Sequence, residues 1–181
     1  MAFDRAGWLQ GVRHEPSPNF DARPSVPVDL LVIHNISLPP GEFGGGDIFA
    51  LFGNRLDPRR HPFYREIAGL RVSAHFVLER DGRVTQCVSI HERAWHAGVS
   101  NWQGRERCND FSVGVELEGT DHQPFTDAQY AALGRLVAQL VSALPLRAVV
   151  GHSDIAPGRK TDPGPSFDWS RLPFGAGSAI R

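Results

Sequence analysis

Cysteine is nearly absent. The 181 residues carry two, Cys87 and Cys108, too few for a disulfide framework, so free thiols are the expected state. An excess of charge of either sign is also missing. The formal net charge is -1 and the isoelectric point lies near 6.7, so a strongly basic surface is excluded and nucleic acid is not an expected partner. No run approaches the roughly 20 apolar residues that cross a bilayer, so no membrane association is expected. The opening stretch MAFDRAGWLQGVRHEPSP has no apolar core of an export signal, and Asp4 stands where a positive segment belongs. A cytoplasmic location is therefore expected. Internal repeats and Gly/Ser-rich linkers are lacking as well. Residues 1–181 are accordingly expected to form one domain, monomeric by default, with residues 1–27 as an arm packed on it.

The patterning predicts a small set of elements. Residues 30–36, LLVIHNI, read as a buried strand with His34 near its end. PPGEFGGG is a loop, and a short helix over 47–53 is expected with Asp47 as its cap. Residues 54–70, which contain DPRRHP, read as a long mobile surface loop of the kind that admits substrate. VSAHFVLER and RVTQCVS flank Asp81-Gly82, a signal for a two-residue hairpin turn. FSVGVELE alternates, with Val113, Val115 and Leu117 on one side and Gly114, Glu116 and Glu118 on the other. Thr126 and Gln129 make a capping box for a helix over 127–144, where Tyr130, Leu133, Val137 and Leu140 recur on one stripe. AVVGH closes the strand set with His152 at its end, and 153–181 reads as loop. Strands and helices mix without strict alternation, so the fold class is α/β in the α+β sense: a central mixed β-sheet flanked by helices.

Eight histidines are many for this length. His34 and His152 each end an apolar strand, and Asp162 follows ten residues after His152 in a Pro/Gly-rich loop. Two imidazoles and a carboxylate leave a fourth position free, the layout of a catalytic zinc site, although His75 and His96 compete as ligands. Glu116 either faces solvent or points into a cleft, and Gly114 beside it can leave space for a ligand. Lys160 is a solvated loop lysine or, beside a metal ligand, an oxyanion partner. Trp95 and Trp102 either cover a sugar face or pack. Arg71, Arg105 and Arg107 are surface charge or paired donors for substrate carboxylates.

Four long stretches carry a resemblance: VIHNISLPPGEFGG, RVSAHFVLERDG, RAWHAGVSNWQGRERCNDFSVGVELEGTD and GHSDIAPGRKTDPGPSFDW. Together they resemble the cytoplasmic 1,6-anhydro-N-acetylmuramyl-L-alanine amidases of Gram-negative bacteria. That family is grouped with the phage-lysozyme-type amidases and the peptidoglycan recognition proteins. GHSDI departs from the more usual GHCNI but keeps the histidine. The resemblance covers nearly the whole chain and implies the fold of that group. It implies one Zn2+ on His34, His152 and Asp162, with Glu116 as acid/base and Lys160 beside the scissile carbonyl. It also implies a small-molecule muropeptide substrate touching Asn35, Arg71, Trp95 and Arg107. Three rival readings stand beside it. One is a non-catalytic peptidoglycan-binding module, another a periplasmic or secreted amidase of intact wall, and the third a protein whose zinc is only structural.

Overall fold

The seven-residue run 30–36 and its partner 112–118 organise the molecule, because alternate residues of each point to opposite faces. The computed structural model describes residues 2–172. In chain order its elements are β1 (Arg13–His14), β2 (Phe20–Asp21), β3 (Leu30–Ile36), α1 (Asp47–Phe52) and α2 (Pro62–Ile67), followed by β4 (Phe76–Leu78), β5 (Val84–Gln86) and β6 (Arg93–Ala94). Then come β7 (Asn101–Trp102), β8 (Arg105–Glu106), β9 (Ser112–Glu118), α3 (Asp127–Ala143), β10 (Ala148–Gly151) and α4 (His152–Ile155).

The central sheet has six strands in the order β1-β5-β4-β9-β3-β10. It is mixed as expected: β4 and β5 pair antiparallel, and the other neighbours run parallel. Leu31, Ile33, Phe76, Val113, Val115 and Leu117 point to one face and are sealed under Leu133, Leu136, Val137 and Leu140 of α3. The helix starts where the capping box predicts. Thr126 Oγ1 accepts the Gln129 N–H at 3.1 Å, and Gln129 Oε1 accepts the Thr126 N–H at 3.0 Å, an arrangement that stabilises a helix start by about 1 kcal/mol.

The opposite face has two coverings with a gap between them. Leu51, Phe52 and Tyr64 of α1 and α2 pack on Val77 and Ala74. Cys108, Phe111, Ala97 and Ile155 pack on Leu30, Val32 and Val150. Both cysteines are free and buried, and burial pushes the Cys87 thiol up to about 12. Segment 2–27 ties onto the β5 edge and the loops nearby. Buried Gln86 accepts the Leu9 N–H at 2.6 Å and donates to the Gly7 carbonyl at 2.8 Å. Arg23 donates to the carbonyls of Asn109 (2.9 Å) and Glu92 (2.6 Å).

Four expectations are corrected. Residues 54–70 are not all loop, because Pro62 sits at the first position of α2 and His61 caps it by accepting the Phe63 N–H at 3.1 Å. Asp47 is not a cap but the first helical residue of α1, after Gly46. Its carboxylate is spent on Tyr64 Oη at 2.8 Å and on Arg60. The hairpin connection spans 79–83 rather than two residues, since Leu78 pairs with Val84 and the Gly82 N–H closes on the Glu79 carbonyl at 2.9 Å. Gly82 has a φ of +83°, and a Cβ there would sit 2.7 Å from the Ala128 carbonyl oxygen, so only glycine fits. Residues 153–172 hold α4 and a 3-10 turn at Trp169–Arg171. The rest of the expected loop, 173–181, lies outside the described residues.

Candidate active site

Three parallel strands deliver the site. In register, His34 of β3 stands beside Glu116 of β9, and Gly151 of β10 stands beside Ile33. His152 follows at once as the first residue of α4. Parallel strands share one direction, so their C-terminal ends collect at one edge. The chain then turns back after α4, and the Ser153 N–H donates to the Asp162 carbonyl at 3.0 Å. That bond brings the Asp162 carboxylate over the two imidazoles.

The three side chains meet at single atoms. Nδ1 of His34 lies 3.0 Å from Nδ1 of His152 and 3.0 Å from Oδ2 of Asp162. Nδ1 of His152 lies 3.1 Å from the same oxygen. Nε2 of His152 is 3.0 Å from the carbonyl oxygen of Ala97. A carbonyl only accepts, so Nε2 carries the ring proton and Nδ1 presents a bare lone pair. A lone pair pressed against a carboxylate oxygen needs a cation or a further proton between them. Burial opposes the proton at the neighbouring ring, holding His34 down to about 4 against the pull of Asp162. A tetrahedral ion with bonds of about 2.0–2.1 Å separates its ligands by roughly 3.3 Å. The observed triangle is close to that, and the residues fit a metal ion. Among the described residues, His34, His152 and Asp162 are the group that can hold one.

Around these atoms opens a cleft of about 410 Å³ that is also lined by Asn35, Glu116 and Lys160. Its lining is largely apolar and includes Leu51, Phe52, Phe63, Ile67 and Trp95. Oε2 of Glu116 is sealed from solvent and has no hydrogen-bond partner among the described residues. Burial raises this carboxyl well above its usual range; the Asp162 charge adds to the shift and Lys160 opposes it. For Asp162, burial also acts upward, and positive charge on the His152 and His34 side outweighs it and holds the carboxyl below its usual range.

The remaining candidates divide. Asn35 reaches the cleft, but its amide donates to Asp121 Oδ1 at 2.7 Å and to the Pro163 carbonyl at 3.1 Å, so it braces the loops behind the carboxylate. Trp95 lines the cleft. Arg71 is exposed between Leu70 and Val72, which both line the cleft. Arg107 lies outside this cleft, on a neighbouring groove, with an ion pair to Asp110 at 3.4 Å. Arg105 is committed elsewhere: it grips Asp29 with two bonds, at 2.8 and 3.1 Å, and lies over the Phe111 ring. Trp102 packs against the core under β3 and β10. His75 is not at the cluster; its Nδ1 accepts the Gly114 N–H at 3.0 Å. The space beside Gly114 holds the His96 ring instead of a ligand, since a Cβ there would lie 2.5 Å from His96 Cγ. The Ala97 carbonyl escaped the sequence reading entirely, because a main-chain acceptor leaves no residue-type signal.

With this geometry in hand, comparison with known proteins is decisive. The family model for N-acetylmuramoyl-L-alanine amidase matches residues 24–165. The chain belongs to the N-acetylmuramoyl-L-alanine amidase family. It is 59% identical over 169 residues to the 1,6-anhydro-N-acetylmuramyl-L-alanine amidase AmpD of Escherichia coli (strain K12), covering 92% of each chain. The crystal structure of a Se-Met AmpD derivative superposes with a TM-score of 0.91 at 55% identity, covering 95% of this chain and 97% of that one. Human PGRP-IBETAC matches at a TM-score of 0.59 and 18% identity, over 88% of this chain and 93% of that one. This last likeness shows the shared fold of amidases and recognition proteins.

Proposed function

We propose that this amidase hydrolyses the amide between the lactyl group of 1,6-anhydro-N-acetylmuramic acid and L-alanine in soluble muropeptides, with zinc on His34, His152 and Asp162. The observation that carries this is the convergence of two imidazole nitrogens and a carboxylate oxygen next to Glu116, whose Oε2 is buried and unpartnered among the described residues. The donor set of two nitrogens and one oxygen suits zinc and leaves a position open. When bound, the ion polarises the scissile carbonyl and lowers the pKa of a water it holds toward about 7.

The chain's own groups do the rest. Glu116 takes the proton of the attacking water and passes it to the leaving alanine nitrogen. Its buried Oε2 has no hydrogen-bond partner among the described residues that would have to be displaced first. Lys160, on the exposed rim of the cleft, offers its ammonium to the oxyanion of the tetrahedral intermediate. The apolar lining of Phe52, Phe63, Ile67 and Trp95 suits the compact anhydro bicycle. It leaves the extra hydroxyl of a reducing muramic end unpaired, which disfavours that substrate. Arg71, exposed beside the cleft, is the carboxylate partner we assign to the peptide, and Arg107 would serve only a peptide long enough to reach the separate groove it lines.

The name of the 59% identical relative supports placing this enzyme in the cytoplasm, acting on anhydromuramyl fragments; among the described residues no helix is long and apolar enough to cross a membrane. The test is release of peptide from anhydromuramyl-tripeptide, from the same peptide on reducing muramic acid, and from whole sacculi. The first substrate should be cleaved fastest. Equal or faster release from sacculi overturns the fragment assignment and leaves the amidase assignment standing.

A further inference from the structure

We infer that His96 is a positioning residue for the metal site: relayed by Ser112, it fixes the tautomer and orientation of the His34 imidazole. The inference rests on the reading of His34 Nδ1 as a metal ligand. It follows from counting protons along one chain of contacts. Ser112 Oγ lies 2.6 Å from the Cys108 carbonyl oxygen. That oxygen has no proton to give, so the single hydroxyl proton points to it and the Ser112 lone pairs face the other way. Nε2 of His96 lies 3.3 Å from Ser112 Oγ and must donate to it. A neutral imidazole has one N–H, so Nδ1 of His96 is a bare acceptor. That acceptor lies 3.0 Å from Nε2 of His34, which donates. Nδ1 of His34 is thereby left as a lone pair, aimed at His152 and Asp162.

Three further observations show that the ring is held for this task. His96 is buried, and its imidazole occupies the room that Gly114 leaves on β9. The loop carrying it is clamped at the backbone, because Asn109 Oδ1 accepts the N–H groups of His96 (3.2 Å) and Ala97 (2.8 Å). The same two residues orient both rings of the cluster, His96 through its side chain and Ala97 through the carbonyl that takes the His152 Nε2–H. Groups that orient a ligating histidine through its second nitrogen typically contribute 10- to 100-fold to metal affinity.

The test measures zinc affinity by chelator competition, with the thermal stability of the metal-free proteins alongside. His96→Phe, which keeps a ring in the Gly114 recess but no acceptor, should weaken zinc binding about 10- to 100-fold. His96→Gln, whose amide oxygen can accept the His34 proton, should recover most of the loss. Ser112→Ala leaves the ring in place and removes its relay, so it should weaken binding in the same direction by less. Nitrogen-15 NMR of the zinc-loaded wild type should show His96 protonated at Nε2 only. Protonation at Nδ1 overturns the inference whether or not the His96 variants fold. So does a zinc affinity unchanged in Ser112→Ala and His96→Phe, or lost equally in His96→Phe and His96→Gln. A wild type that binds no zinc overturns the metal reading itself, and this inference with it.

Discussion

The two faces of the central sheet use the same strands and obey different rules. Toward α3, residues 31, 33, 113, 115 and 117 are apolar and fully buried. Each is held by dispersion and by exclusion of water, and none carries chemistry. Toward the cleft, the same strands present His34, Ser112, Gly114 and Glu116. Here burial creates demands rather than satisfying them: a carboxyl oxygen unpartnered among the described residues, lone pairs in contact, and a glycine kept small for a neighbour's ring. One face supplies stability, and the other draws on it to hold polar groups in positions they would not choose in water.

The sharpest way to break this comparison is to remove the carboxylate that faces both imidazoles. Asp162→Ala should lose zinc and turnover together, with activity falling to background, while the α3 face and the fold persist. Metal analysis and product analysis on the same sample check it. Retention of one zinc per chain would show the ligand set to be wrong, as would loss of zinc in His75→Ala. Next in size are Glu116→Gln and Lys160→Ala. Each should keep zinc and fold but lose turnover, by about 100- to 1,000-fold where a transition-state contact is removed. A Glu116→Gln enzyme within about threefold of wild type would assign the proton transfer elsewhere, because general acid–base catalysis contributes at least about 100-fold.

The opposite face should answer in the opposite currency. Leu133→Ala in α3 removes a fully buried side chain from the main core. It should cost about 2–5 kcal/mol of stability and leave kcat at a permissive temperature within twofold. Denaturant unfolding and steady-state rates on one preparation separate the two effects. A kcat loss as large as that of Lys160→Ala would mean that the faces are not independent.

The difference between the faces also explains what could be read before the structure. Alternation in FSVGVELE and the capping box at Thr126 and Gln129 are local signals, so β9 and α3 were legible almost to the residue. The strands β1, β2, β6, β7 and β8 have two residues each, too few for a period to show. They form because long-range partners meet them. The helix inside 54–70 announced itself only by Pro62 at its first position. Within the site, His34 and His152 stood out as strand ends. Pairing cannot be read from a strand alone, so neither the register that sets His34 beside Glu116 nor the meeting of His34 with His96 was visible. Gly114 read as room for a ligand, and whether a missing side chain admits a ligand or a neighbour depends on which loop folds over it.

A smaller effect tests whether burial alone, away from the proposed metal ligands, already distinguishes the cleft side. His75 sits under the site with Nδ1 accepting the Gly114 N–H. Burial, reinforced by the Arg23 charge, holds it down to about 3. In the unfolded chain it titrates near 6.5. Between these values the unfolded state binds a proton that the folded state refuses. Its contribution to stability is therefore fully present above about pH 6.5 and is lost as pH falls toward 3. The slope from one such proton approaches about 1.4 kcal/mol per pH unit. Urea unfolding of wild type and His75→Asn, compared between pH 4 and 7 in the same metal state, isolates it. Asparagine can still accept the Gly114 N–H but cannot titrate, so the variant should be less stable at pH 7 and lose stability less steeply with acid. Parallel curves for the two proteins would show that His75 takes up its proton in the folded state, and that the buried cleft side tolerates charge where its packing says it does not.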